Sequence, residues 1–133
     1  MNSSEAEPRV GIITKAVSGS VDDAVDRLVR LVRDRGMTHF ATIDHGGEAR
    51  GHGLELRDTK VVIFGSPTGG TPVMQASPLA ALDLPLKVLV WDDDGQTKVS
   101  YTDPGVLAAR HHLSGELASR LAGIGPLTDA LVG

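Results

Sequence analysis

The sequence predicts an α+β fold, with helices covering one face of a sheet. Three observations predict it: a helical apolar stripe over residues 21 to 35, a strand-turn-strand pattern over 84 to 103, and an element order that opens βα and then abandons strict alternation. "VGIITKAV" (10 to 17) is β-branched and ends in Ser-Gly-Ser, which reads as a first strand. Val21, Ala24, Val25, Leu28, Leu31 and Val32 then follow helical spacing. Ser20 with Asp23 forms a capping pair, Asp22, Asp23 and Asp26 suit the positive end of the dipole, and Gly36 is expected to close the helix in a left-handed conformation.

"MTHFATIDH" (37 to 45) predicts a second strand, and "GGEARGHG" (46 to 53) a loop or a glycine-weakened short helix. "LELRDTKVVIFG" (54 to 65) predicts an extended arm that is buried from Val61 to Phe64. Thr71 followed by Pro72 predicts an N-cap and first helical residue, and Pro78 should end that helix. In "LPLKVLVWDDDGQTKVSYTD" two strands flank Asp93-Asp94-Gly95-Gln96, a hairpin turn by its chemistry. Leu86, Val88 and Val90 share one face of the first strand, Lys87, Leu89 and Trp91 the other. Asp103-Pro104 opens a helix through "GVLAARHH"; Ser114 caps a last segment, "GELASRLAGIG", after which Pro126 and a tail are expected.

A chain of 133 residues suits one domain, placed at 9 to 133, with residues 1 to 8 expected to be a disordered tail. Aromatic residues make up only 3%, so the core must be built from Val, Leu, Ile and Ala. The net charge of −4 with dispersed basic residues argues against nucleic acid as a partner. Without cysteine there is no disulfide or thiolate chemistry, and no apolar run reaches the roughly 18 residues of a membrane span. A cytoplasmic location, with no membrane partner, is the expectation.

"FGSPTGGTPVMQ" comes close to a phosphate-binding loop. Gly65 and Gly70 have the required separation, but Thr71 and Pro72 stand where Lys and a hydroxyl residue belong. Asp92-Asp93-Asp94-Gly95 lacks calcium-loop spacing and reads as a solvated turn. The five histidines show no i, i+4 metal pairing, so neither metal nor cofactor is expected. Lys87 stands out as the one charge in an apolar strand, because an ammonium there needs a partner, solvent or a pocket. With Leu89, Trp91 and Tyr101 it is expected to form a charged apolar wall suited to an anionic small molecule.

The ordered series "FG.P..GTP.MQ", "DLPLK.LVW" and "YTDP" resembles the DUF302 family, of TT1751-like fold, over most of residues 10 to 122. The resemblance implies a two-layer sandwich with helices on one side of an antiparallel-type sheet, often as a dimer, and implies no reaction. It also implies a Lys in the loop after Pro67, where this chain has Thr68 and Gly69. The leading expectation is a homodimer that binds a small, anionic ligand without catalysis, at Gly70, Thr71, Met74, Lys87, Trp91, Tyr101 and His111. Two alternatives stand beside it. One is an enzyme with His111 or His45 as general base acting with Lys87, the other a structural dimer module.

Overall fold

The computed structural model describes residues 9–132; the tail expected at residues 1 to 8 lies outside them. Its strands are β1 (Ile12–Ala16), β2 (Thr38–Asp44), β3 (Thr59–Gly65), β4 (Leu86–Asp93) and β5 (Gln96–Thr102). They pair in the order β1-β5-β4-β3-β2, and every pairing is antiparallel. Six α-helices are described: α1 (Val21–Asp34), α2 (His45–Gly51), α3 (Pro67–Ala76), α4 (Pro104–Arg110), α5 (Gly115–Ser119) and α6 (Ile124–Asp129), with a 3-10 turn at Pro78–Leu82.

The register decides which side chains meet α1. Val62 lies opposite Val88 and Val90 opposite Val99, so these four share one face with Phe64 and Tyr101, all buried. Against them α1 sets Ala24, Val25, Leu28 and Val32, and the C-terminal segment adds Ile124, Leu127 and Leu131. Each fully buried Leu or Val here contributes roughly 1.5–3 kcal/mol relative to exposure. The helix is fixed at its start by the expected capping box of Ser20 and Asp23, and just past its end Gly36 takes a φ of 75°. Asp94 and Gly95, at φ 51° and 95°, form the two-residue turn that joins β4 to β5.

Two ammonium groups fasten helices to this face. Lys15 Nζ reaches Gly125 O at 3.1 Å, Thr128 Oγ1 at 2.7 Å and Asp129 Oδ1 at 2.8 Å, tying β1 to α6. Lys60 Nζ lies 2.7 Å from Asp22 Oδ1, tying β3 to the first turn of α1. Burial lowers the pKa of Lys15, but hydrogen bonds with Asp129 and Tyr101 outweigh it and leave the group raised.

Two expectations about helices need correction. The helix after β3 starts at Pro67, not Pro72: Ser66 is its N-cap, and Pro72 lies inside it. Ser66-Pro67 offers the same cap-plus-proline chemistry directly at the strand end, and starting there carries Val73 into full burial. The segment after Gly123 is also no tail, since Leu127 and Leu131 are both 0% exposed. Pro126 is the third residue of α6, where its missing N–H has no intrahelical partner to lose.

Candidate functional site

The turn from β3 into α3 is held by Ser66. Its hydroxyl accepts from Gly69 N at 3.1 Å, and its carbonyl accepts from Gly69 N at 3.0 Å and Gly70 N at 2.7 Å. The glycine N–H groups that would cradle a phosphate are therefore directed into the turn. Thr71 is exposed on α3 rather than capping it. This loop is built as a helix start and one wall of a cleft.

The cleft encloses about 160 Å³. Met37, Phe40, Met74, Leu84, Leu86 and Leu121 give it an apolar lining, Gly70 opens onto it, and Arg120 supplies its one charged side chain. Phe40 belongs to a bulge in β2, where the pairing with β3 shifts between His39 and Ala41. Gly65 lies beside the ring: a Cβ there would stand 3.6 Å from it and 3.5 Å from Pro85, in ordinary contact with both. A Cβ at Gly70 would lie 3.9 Å from Leu84 Cδ1 and 4.0 Å from Met74 Cε, in ordinary contact with two lining side chains. Arg120 is loosely paired with Glu116 at 3.8 Å and about a third exposed.

Of the expected site residues, Gly70 and Met74 line this cleft. Lys87 and Trp91 lie on the sheet face opposite the core, Lys87 exposed and Trp91 buried. Tyr101 does not join them. It is on the core face, 5% exposed, with Lys15 Nζ 5.2 Å from its ring centroid. The strand residues that share the Leu89 and Trp91 face are Ser100 and Lys98.

His111 sits at the end of α4 with its side chain 7% exposed, and Nε2 lies 2.6 Å from Asp83 Oδ2. Arg110 reaches the same carboxylate at 3.1 Å. The His111 hydrogen bond, opposed by burial and aided by Arg110, holds the Asp83 carboxyl below its ordinary pKa. This cluster clamps α4 to the segment before β4. Among the described residues no hydrogen bond or ion pair joins Lys87 to His111 or His45, and no group of three or more His, Cys, Asp or Glu could hold a metal.

The cleft's charged member and most of its apolar lining come from residues that sequence reasoning did not select. Met37, Phe40, Arg120 and Leu121 are distant in the chain, and only the fold brings them to the β3–α3 turn.

The family described as "Domain of unknown function DUF302" matches residues 13–125. The chain belongs to the DUF302 family. A crystal structure of an uncharacterized conserved DUF302 protein from Bacillus stearothermophilus superposes with a TM-score of 0.78 at 19% identity, covering 93% of this chain and 97% of that one. The fold is thus shared while most side chains differ.

Curated relatives include "Fluoride-specific ion channel FluC 1" of Brucella suis and the protein of the same name in Brucella abortus, each 35% identical over 128 residues. Those matches cover 92% of this chain but only 50% and 47% of the relatives, so the DUF302 chain spans about half their length. Among its described residues no helix is long and apolar enough to cross a membrane.

Proposed function

We propose that this DUF302 domain is a non-catalytic module that binds a small anionic molecule in the cleft beside the β3–α3 turn. The observation that carries the reading is the cleft itself, an apolar cavity of about 160 Å³ with a single guanidinium, Arg120, among its lining residues. Apolar walls with one placed charge are the usual make-up of a small-molecule site. A cavity of this order suits a single ring or a short branched chain, with its carboxylate toward Arg120. In this reading Gly70 and Met74, which line the cleft, stay among the proposed ligand contacts, and Arg120 takes the place given to Lys87.

The proposal includes a homodimer, supported by the exposed side chains of Phe40 (52%), Leu79 (70%) and Leu82 (77%), and a cytoplasmic setting, supported by a cysteine-free chain. The channel named in the Brucella relatives requires membrane spans, which no described helix here supplies. This supports assigning the pore to the other half of those proteins and reading the shared half as an attached binding module.

Thermal-shift measurements with benzoate, isovalerate, inorganic phosphate and sodium fluoride test the ligand class. Benzoate or isovalerate should raise the melting temperature of the wild type, and Arg120→Gln should weaken that response. A response to fluoride or phosphate alone, or one untouched by Arg120→Gln, would overturn the reading.

A further inference from the structure

The sheet ends in two edges of different character. β1, at one edge, is five residues long and turns a charge, Lys15, inward to α6, a device that keeps edge strands from pairing. β2, at the other, is seven residues long, and Thr38 to Ile43 hold no Lys, Arg, Asp, Glu or Pro. Phe40, Ala41, Thr42 and Ile43 are all exposed, Phe40 to 52% and Ile43 to 41%. Among the described residues, the backbone of Thr38 to Ile43 makes no hydrogen bond outside its pairing with β3, so its outward N–H and C=O groups form an open ladder.

The bulge in β2 limits the register that a further strand can take. His39 and Thr42 lie on the α1 side, opposite Phe64 and Val62, and their side chains meet at 2.8 Å. Ala41 and Ile43 lie on the bare face, opposite Ile63 and Val61. In an antiparallel pair, directly opposed residues share a face. If β2 paired with a second copy of itself about Ala41, Ile43 would meet the partner's His39 on the wrong face. Pairing about Thr42 instead sets Ala41 against the partner's Ile43 twice over, apolar against apolar. Charge favours the same arrangement. Arg33 and Arg35 against Asp34 leave a positive end before β2, and among the described residues neither arginine makes an ion pair. Asp44 and Glu48 leave a negative end after it, since Arg50 is taken by Asp58 and Lys60 by Asp22. Antiparallel pairing brings each end against the opposite end of the other copy.

We infer that β2 is the interface of a homodimer, in which a second copy of this chain pairs antiparallel about Thr42 and joins two five-stranded sheets into one. The inference rests on the homodimer proposed above and names its surface, and it is independent of what fills the cleft. The contact is isologous, satisfies the outward backbone groups and covers Ala41 and Ile43, while Arg35 comes level with the first turn of the partner's α2. An edge contact of this length lies at the small end of protein interfaces, so association in the micromolar range is expected.

The chain has no cysteine, so a single one introduced on the two-fold axis reports the pairing directly. Under mild oxidation Thr42→Cys should form a disulfide-linked dimer about tenfold faster or more than Ala16→Cys on β1, because opposed strand residues lie within disulfide reach. Sedimentation of the full chain from micromolar to near-millimolar concentration should show a monomer–dimer equilibrium. Ala41→Lys should weaken it by about tenfold or more. Arg35→Glu should weaken it by a smaller factor, and adding Glu48→Arg to that variant should restore it. A chain that stays monomeric throughout would overturn this inference and the homodimer together. A dimer that withstands Ala41→Lys in the folded variant, or that cross-links no faster through Thr42→Cys than through Ala16→Cys, would overturn the β2 pairing and leave the homodimer standing.

Discussion

Lys15→Met removes the ammonium that ties β1 to α6 while keeping an unbranched apolar stem of similar length. The wild-type side chain is 19% exposed and its Nζ donates to Gly125 O and Thr128 Oγ1, contacts that contribute about 1 kcal/mol each net of water. Its pairing with Asp129, which is 68% exposed, adds no more than about 0.5 kcal/mol, and the Tyr101 ring a similar amount. Relief from desolvating the ammonium offsets part of the sum, and Thr128 is not orphaned because its hydroxyl still donates to Ile124 O. The expected net loss is about 2 kcal/mol, or roughly 8 °C in melting temperature for a chain of this size. Calorimetry of the two proteins reads it directly.

The pH dependence follows from the direction of the shift. The folded pKa of Lys15 lies above the ordinary value of 10.5, so its contribution is complete below that value and is lost as pH rises through the folded pKa. The stability gap between wild type and Lys15→Met should stay flat from neutral pH to about 10 and narrow above it. A variant within about 0.5 kcal/mol of wild type at neutral pH would refute the tie between β1 and α6.

Leu131→Ala should cost about 3 kcal/mol, because Leu131 is 0% exposed and truncation leaves a cavity; denaturant melts that show no loss would return residues 127 to 132 to the status of a tail. Asp83→Asn should cost about 1–2 kcal/mol at neutral pH. Since the folded Asp83 pKa is depressed below 3.8, the carboxylate's contribution is present above that value and disappears as pH falls through the folded pKa. Acid titration should therefore find the variant converging with wild type at low pH, and a constant gap would contradict the His111–Asp83 clamp.

Helix α1 and the β4–β5 hairpin were legible because their signals are local: a capping box, a closing glycine and a two-residue Asp-Gly turn act within a few residues. The start of α3 was ambiguous because the chain contains two cap-proline pairs five residues apart, and the burial of Val73, invisible locally, favours the first. Pro126 misled because proline breaks a helix only beyond its first turn. The position of Tyr101 follows from the hairpin register. A turn that pairs Asp93 with Gln96 pairs Trp91 with Lys98, and continuing that count sets Tyr101 opposite Val88 on the core face. The cleft was only partly legible: its loop is a local motif, but Arg120 and Phe40 reach it through a C-terminal helical segment and a β-bulge.

Met37 and Met74 both line the cleft and account for two of the three methionines, which makes their methyl groups direct probes of its occupancy. Titrating ¹³C-methyl-methionine protein with benzoate or isovalerate should move both resonances together and saturably. Gly70→Leu, which projects a side chain toward Leu84 and Met74, should abolish the movement while leaving the protein folded. Methyl resonances that stay fixed for both carboxylates, or binding that persists in the folded Gly70→Leu protein, would contradict the assignment of the cleft as a ligand site.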